Sequence, residues 1–195
     1  IKSSDILSKE KLEPKSYIVM SIHREENVDS PKNFSNLLES INELIKKYKI
    51  PIIISTHPRT KQRLEKINYQ SKNKLLRFAK PFGFHEYNKL QMNALCILSD
   101  SGTITEESSF LNFPAITMRK SHERPEAMEE ASVMMVGLNP ERIMQGLSIL
   151  NSQKRDKNRT LRLVNDYAMP NVSDKLIRII LSYTDYVNRV VWMNY

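Results

Sequence analysis

The most informative segment of the sequence is ALCILSDSGTITEESSF, residues 94 to 110. Its first five residues form an apolar run with the length of a buried strand, and small polar residues with one glycine follow directly. A helical pattern then begins. A strand that passes into a helix through such a turn is suited to anions, because the free N–H groups and the dipole of the helix attract a phosphate. The candidates for that contact are Ser101, Gly102 and Thr103.

Two glutamates, Glu106 and Glu107, lie about one turn into this helix. If the ligand is a nucleotide, its phosphates lie on the N–H groups, and one carboxylate accepts hydrogen bonds from the ribose hydroxyls. Alternatively, both glutamates simply interact with the helix dipole. The spacing alone does not separate these two interpretations.

The alternation of strand and helix continues along the chain. Predicted strands lie at 17–22, 51–56, 75–79, 94–98, 114–118 and 133–137. Two of the helices have clear starts, with Ser30 before Pro31 and Asn139 before Pro140. Because the strands are continuously apolar, we expect helices on both faces of the sheet. The predicted fold class is therefore α/β, a mostly parallel sheet of about six strands.

The composition is that of an ordinary globular protein, with 40% hydrophobic and 27% charged residues among 195. No apolar run approaches the ~20 residues that span a bilayer, so we expect no membrane partner. The single cysteine, Cys96, lies in an apolar run and has no disulfide partner in the chain. These observations lead us to expect a cytoplasmic location.

The net charge of +8 indicates an anionic partner without identifying it. The densest basic cluster, residues 153–162, has no aromatic residue on which a base could stack. We interpret it as a solvated connector rather than a nucleic-acid site. The charge would equally favour a nucleotide diphosphate through electrostatic steering.

Four loops are expected to meet at the carboxyl ends of the strands, where open parallel sheets bind ligands. Three of the four histidines, His23, His57 and His85, directly follow strands there. One such histidine is usually structural, but three at one edge favour a site. His23 and Arg24 together suit a leaving phosphate, although a salt-bridged loop would have the same composition. The histidine spacing matches no metal site, and neither a P-loop nor a GxGxxG motif occurs.

Taken in order, SIHREEN, THPRT, PFGFHEY, SDSGTITEE and MRKSHERPEAMEE resemble the carboxyl-terminal half of non-hydrolysing UDP-N-acetylglucosamine 2-epimerases. The match covers residues 17–150. The tail, residues 167–192, is similar to the capsule and O-antigen branch, which converts UDP-2-acetamido-2,6-dideoxy-L-talose to UDP-N-acetyl-L-fucosamine. The resemblance implies a Rossmann-like domain, the second half of a glycosyltransferase-B-like fold. It also implies an isomerase that eliminates UDP to give a glycal and adds it back with C2 inverted, without metal or other cofactor.

The resemblance also implies roles for individual residues. His23 would be the catalytic histidine near the leaving diphosphate, and Glu107 would bind the ribose. Ser101, Gly102 and Thr103 would hold the diphosphate, while Phe84 and His85 would border the uracil. Arg24 and His57 match positions near a regulatory nucleotide-sugar region described for some members, and Arg124 is a further candidate for a phosphate contact. Thr103 departs from the family, which commonly has a second glycine there.

The predicted organisation has three parts. Residues 1–16 form a polar linker or the start of the domain, residues 17–151 form the UDP-binding domain, and residues 152–195 form a connector with a last helix. That helix is apolar around most of its circumference, so we expect it to dock on something outside this chain. The resemblance implies that it crosses toward an N-terminal domain. In the family, that domain carries the carboxylates that handle the C2 proton. We therefore expect this chain alone to be inactive and the full-length protein to be a homodimer.

Two alternatives remain. A glycosyltransferase of the same architecture would also hold UDP at this helix start, but it would require an acceptor. A non-catalytic nucleotide-binding or nucleic-acid-binding module would bind oligonucleotides in a strongly salt-dependent manner.

Overall fold

A computed structural model describes residues 1–155 and 159–194. Its six strands are β1 (Ile18–Ser21), β2 (Ile52–Ser55), β3 (Leu76–Ala79), β4 (Cys96–Ser99), β5 (Ala115–Thr117) and β6 (Met134–Met135). All pair in parallel in one sheet of order β3-β2-β1-β4-β5-β6. The α/β prediction is therefore confirmed, and each predicted strand position is occupied.

The helices are α1 (Ile6–Lys9), α2 (Glu25–Val28), α3 (Pro31–Tyr48), α4 (Pro58–Lys66), α5 (Phe84–Asn93), α6 (Ile104–Leu111), α7 (Pro125–Glu129), α8 (Pro140–Ser152) and α9 (Val172–Val190). A 3-10 helix spans Asn165–Ala168. The predicted caps are confirmed: Ser30 accepts a hydrogen bond from the N–H of Asn33, and Asn139 accepts one from Arg142. Among the described residues, no helix is long and apolar enough to cross a membrane.

The core lies on both faces of the sheet, as the continuously apolar strands indicate. Alternate residues of β1 point to opposite faces, with Ile18 and Met20 in one cluster and Val19 in the other. The first cluster is covered by α3 and α8, and the second by α1, α5 and α6. β3 differs because it is an edge strand, and only its first residue, Leu76, is buried.

Residues 1–16 do not form the linker that their polar composition predicts. They contain α1, which packs on α5, and they bury Ile6 and Leu12 in the core. Two apolar residues in a polar segment are enough to anchor it, because each buried aliphatic side chain contributes about 2 kcal/mol.

The basic cluster is also not the solvated connector that we expect from sequence. Arg155 donates to the carbonyl of Phe113 at 2.9 Å, and Arg159 donates to the carbonyl of Ser109 at 2.8 Å. These guanidinium groups satisfy carbonyls at and beyond the end of α6, which lack partners within the helix. Residues 156–158 of the cluster, and residue 195, lie outside the described part of the chain.

Two compact units divide the chain, residues 1–164 and residues 165–195. The first ends beyond the predicted boundary at 151 and holds both core clusters. The second contains the 3-10 helix and α9, within which Tyr183 and Tyr186 pack edge to face. No residue of α9 is buried, so its predicted docking on another domain stays a prediction.

Candidate functional site

The centre of the sheet has the geometry of a ligand site. β1 and β4 are neighbours, with Ser21 opposite Ser99, and the strand order reverses direction between them. At such a switch point the connections leave toward opposite faces, which opens a crevice beyond the strand ends. His23 and Asp100 lie just beyond these two strands and therefore meet there.

Asp100 organises this crevice. Its carboxylate is fully buried and accepts hydrogen bonds from the backbone N–H groups of His23, at 3.1 Å, and Arg24, at 2.9 Å. It also accepts from Asn27 Nδ2 and lies 3.1 Å from His23 Nδ1. Burial by itself would raise the pKa of Asp100, but the hydrogen bonds from His23, Arg24 and Asn27 outweigh it and lower that pKa. Asp100 is therefore an ionised anchor for residues 23–27.

The predicted histidines have different surroundings. His23 Nδ1 faces Asp100, and its ring lies 5.4 Å from the ring of His57. His57 caps α4 by accepting a hydrogen bond from the N–H of Arg59. His85 lies in the first turn of α5 and packs against Phe84, whose side chain is 74% exposed. The structure thus brings His23 and His57 together and places His85 with Phe84.

Ser101, Gly102 and Thr103 form the tight turn that precedes α6, here called the 101–103 turn. The hydroxyls of Ser101 and Thr103 lie 3.0 Å apart. A side chain at Gly102 would bring its Cβ to 2.5 Å from Arg124 Nη1, so the guanidinium of Arg124 lies directly against this glycine. Thr103 forms no side-chain cap on α6. The turn therefore offers N–H groups, hydroxyls and an adjacent cation, which is a suitable set for a phosphate.

The two glutamates, equivalent in the sequence, have different roles in the structure. Glu106 pairs with Arg124, with Oε1 2.5 Å from Nε. Glu107 instead accepts a hydrogen bond from Gln91 Nε2 at 2.8 Å. Burial raises the pKa of Glu107, the hydrogen bonds from Gln91 and Thr103 oppose this, and the charge of Glu106 adds to it. Glu107 is the carboxylate that is not committed to a cation.

A cluster of arginines surrounds Glu123 beside the turn. Arg119 is only 5% exposed, and its Nη2 lies 2.7 Å from Glu123 Oε1. Arg24 Nη2 lies 3.6 Å from the same oxygen, and Arg124 Nη1 lies 4.0 Å from Oε2. Since Arg124 also pairs with Glu106, the three arginines exceed the two carboxylates by one charge, and this side of the crevice is net positive.

Sequence reasoning missed several residues of the crevice. The sequence could have indicated Asp100, since this residue directly follows a buried strand at the edge of the sheet where ligands bind. Gln91 lies in the middle of α5, and only the packing of α5 beside α6 brings it to Glu107. The pKa of Tyr87 is raised by burial and by the nearby carboxylates of Glu107 and Asp100, against a hydrogen bond with Ser21 that lowers it. No local pattern indicates either of these two.

The parallel sheet with a polar crevice at its switch point places the chain among Rossmann-like α/β proteins. Its residues 1–181 match the family model of UDP-N-acetylglucosamine 2-epimerase. The chain belongs to that family.

Individual relatives agree with this assignment. A UDP-N-acetylglucosamine 2-epimerase of Methanocaldococcus jannaschii is 36% identical over 173 residues, which is 87% of this chain and 45% of that protein. The structure of the Rickettsia bellii enzyme superposes with a TM-score of 0.85 at 46% identity, covering 98% of this chain and 51% of that one. The M. jannaschii enzyme in complex with UDP-GlcNAc and UDP has a TM-score of 0.81 at 31% identity, covering 93% and 49%. The chain thus spans about half the length of the relatives that it matches.

Proposed function

We propose that this chain is the nucleotide-binding half of a UDP-sugar 2-epimerase, an isomerase. The observation that carries the proposal is the crevice in which Asp100 holds His23 next to the 101–103 turn. The family match supports it, as does the relative whose structure contains UDP-GlcNAc and UDP.

In this proposal each part of the crevice holds one part of the nucleotide. The diphosphate lies on the 101–103 turn, where the N-terminus of α6 and Arg124 stabilise its charge. Glu107, kept in place by Gln91, accepts hydrogen bonds from the ribose hydroxyls. Phe84 and His85 border the uracil. Arg24 and His57 serve a phosphate or a second, regulatory nucleotide sugar.

The reaction balances without a redox step. A base removes the C2 proton, the C1–O bond breaks, and UDP leaves with the electron pair to give a glycal with a C1=C2 double bond. UDP then adds back to C1, and C2 receives a proton on the opposite face. His23 stands at the leaving diphosphate, where general acid catalysis contributes about 10²- to 10⁴-fold. The Asp100 carboxylate accepts a hydrogen bond from Nδ1 of His23. It thereby orients the other ring nitrogen of His23, Nε2, toward the crevice.

The carboxylates that handle the C2 proton are proposed to come from another domain, so this chain alone is inactive. This part of the proposal is supported by the relatives' greater length. The substrate that we propose is UDP-2-acetamido-2,6-dideoxy-L-talose, used for surface polysaccharides by a homodimeric cytoplasmic enzyme. A glycosyltransferase is the second candidate, because it would use the same UDP contacts.

The test is a product assay of the whole protein in D₂O without an acceptor. The proposal predicts that UDP-2-acetamido-2,6-dideoxy-L-talose is converted to its C2 epimer, with deuterium at C2; conversion of UDP-GlcNAc in its place would keep the epimerase and change the substrate. His23→Asn should reduce kcat by about 100-fold or more. Turnover that begins only when an acceptor sugar is added would instead identify a glycosyltransferase.

A further inference from the structure

A second cavity opens at the carboxyl edge of the sheet, on the side of β5 and β6. This cavity, here called the β6 groove, has a volume of about 660 Å³. Its lining includes Lys32, Asn36, Arg119, Lys120, Gly137 and Asn139. Small-molecule sites in proteins have volumes of about 300–1,000 Å³, so the β6 groove is large enough to hold a ligand of the size of a nucleotide.

The β6 groove has the charge of an anion site. Lys32 and Lys120 are exposed, and Arg119 contributes a third cation. Among the described residues, no aspartate or glutamate lines it. The helices α3 and α8, of 18 and 13 residues, both begin there, at Pro31 and Pro140, and their dipoles add to the positive potential.

The burial and incomplete pairing of Arg119 point to a ligand. Its side chain is 5% exposed, and its Nε is buried without a hydrogen-bond partner among the described residues. Nη2 contacts Glu123, whose own side chain is 61% exposed. A buried guanidinium is costly unless it is well paired, and one contact with a solvated carboxylate compensates only part of that cost. Arg119 therefore places an incompletely compensated positive charge at the wall of the β6 groove.

We propose that the β6 groove is a second anion-binding site that takes a phosphorylated small molecule. Arg119 is its buried anchor, and Lys32 and Lys120 hold the phosphate at the rim. Gly137 and the apolar side chains of Met135 and Val136 complete the lining. This proposal does not depend on UDP binding at the 101–103 turn.

A nucleic acid fits the β6 groove less well. Within the described part of the chain, no aromatic residue lines it, so unpaired bases would have no stacking platform. The three cations are grouped around one cavity and do not follow the path of a phosphate backbone.

The test is an NMR titration of the ¹⁵N-labelled 195-residue chain with inorganic pyrophosphate, followed at the amides of Gly137 and Asn139. We expect saturable shifts at both amides. Lys32→Gln combined with Lys120→Gln should weaken this binding about tenfold, because two charge-assisted contacts are lost. A matched double variant, Lys46→Gln with Lys47→Gln, removes the same charge from the far end of α3 and should leave the binding unchanged.

Two further arms complete the test. Gly102→Ala, which crowds Arg124 at the 101–103 turn, should spare the shifts at Gly137 and Asn139, so that failure of the UDP site and failure of the β6 groove are told apart. The proposal is overturned if these amides do not respond, or if the control double variant loses as much affinity as the groove variant. It is also overturned if an oligonucleotide saturates the same amides more tightly than pyrophosphate or UDP.

Discussion

Asp100 is the residue on which the geometry of the crevice depends most. It is a buried charge whose acceptor oxygens are satisfied by groups of three residues that follow β1. Because an unsatisfied buried charge is costly, residues 23–27 have a strong preference for the one arrangement that serves it. Asp100 is thus a positioning residue, which acts through His23.

We predict that Asp100→Asn destabilises the protein by about 2–4 kcal/mol at neutral pH. The substitution keeps the shape of the side chain, but it removes the charge and replaces one acceptor oxygen with a donor. Urea denaturation measures the effect. Asp29→Asn is the control, since Asp29 forms an exposed ion pair with Arg59, and such pairs contribute about 0–1 kcal/mol. Equal losses in the two variants would contradict the role of Asp100.

The pH dependence provides a second measurement on the same residue. The pKa of Asp100 is lowered in the folded protein, whereas in the unfolded chain it is about 3.9. As the pH falls, this carboxylate is therefore protonated in the unfolded chain before it is protonated in the folded protein. The contribution of Asp100 to stability is therefore full above about pH 4 and is lost as the pH falls toward the lower folded value. The wild type should lose stability faster than Asp100→Asn over this range. Parallel curves would show that Asp100 is not an ionised anchor.

At this scale, the sequence predicts the residues of local motifs better than their partners. Ser101, Gly102 and Glu107 are predicted as site residues because they lie within one strand–turn–helix pattern. The sequence did not indicate Asp100 or Gln91. The partners of Asp100 lie 73 to 77 positions away in the chain, and the partner of Gln91 lies 16 positions away. Strand order and helix packing, which no local pattern encodes, create those contacts.

At the scale of elements, the helix starts were predictable because capping depends on adjacent residues. Ser30 before Pro31 and Asn139 before Pro140 both cap as expected. The helix α1 was not predictable, since four residues are too few to show an apolar period. β3 resembles the inner strands in sequence but lies at the sheet edge, and only the strand order distinguishes the two situations.

Ser30→Ala should destabilise the protein by about 1 kcal/mol, because it leaves the N–H of Asn33 without its cap. The control is Ser35→Ala, at an exposed position within the same helix, where alanine has the higher helix propensity. It should leave stability unchanged or raise it slightly. Both values come from urea denaturation, and similar losses in the two variants would show that the cap does not stabilise α3.

At the scale of the molecule, residues 1–164 contain a complete core. Both apolar clusters lie within this unit, and its last residue, Val164, is buried and donates its N–H to Ser109. The predicted boundary at residue 151 fell short because a basic, polar stretch gave no sign that Arg155 and Arg159 bind carbonyls of the core unit.

We predict that a chain truncated after Val164 unfolds in a single cooperative transition near the wild-type temperature. A chain truncated after Ser152 is the control, and it should unfold at a lower temperature because it lacks the contacts of Arg155, Arg159 and Val164. Calorimetry measures both. Loss of the cooperative transition in the longer truncation would show that the unit of residues 165–195 is required for folding.

We propose that the crevice binds UDP through Glu107 and the 101–103 turn. The most direct measurement is a calorimetric titration of this chain with UDP, with CMP as the competing nucleotide, repeated for Glu107→Gln and for the exposed control Glu39→Gln. We predict saturable binding that prefers UDP over CMP and that is about tenfold weaker in Glu107→Gln and unchanged in Glu39→Gln. Binding of UDP that is equally tight in Glu107→Gln, or that does not exceed binding of CMP, would contradict it.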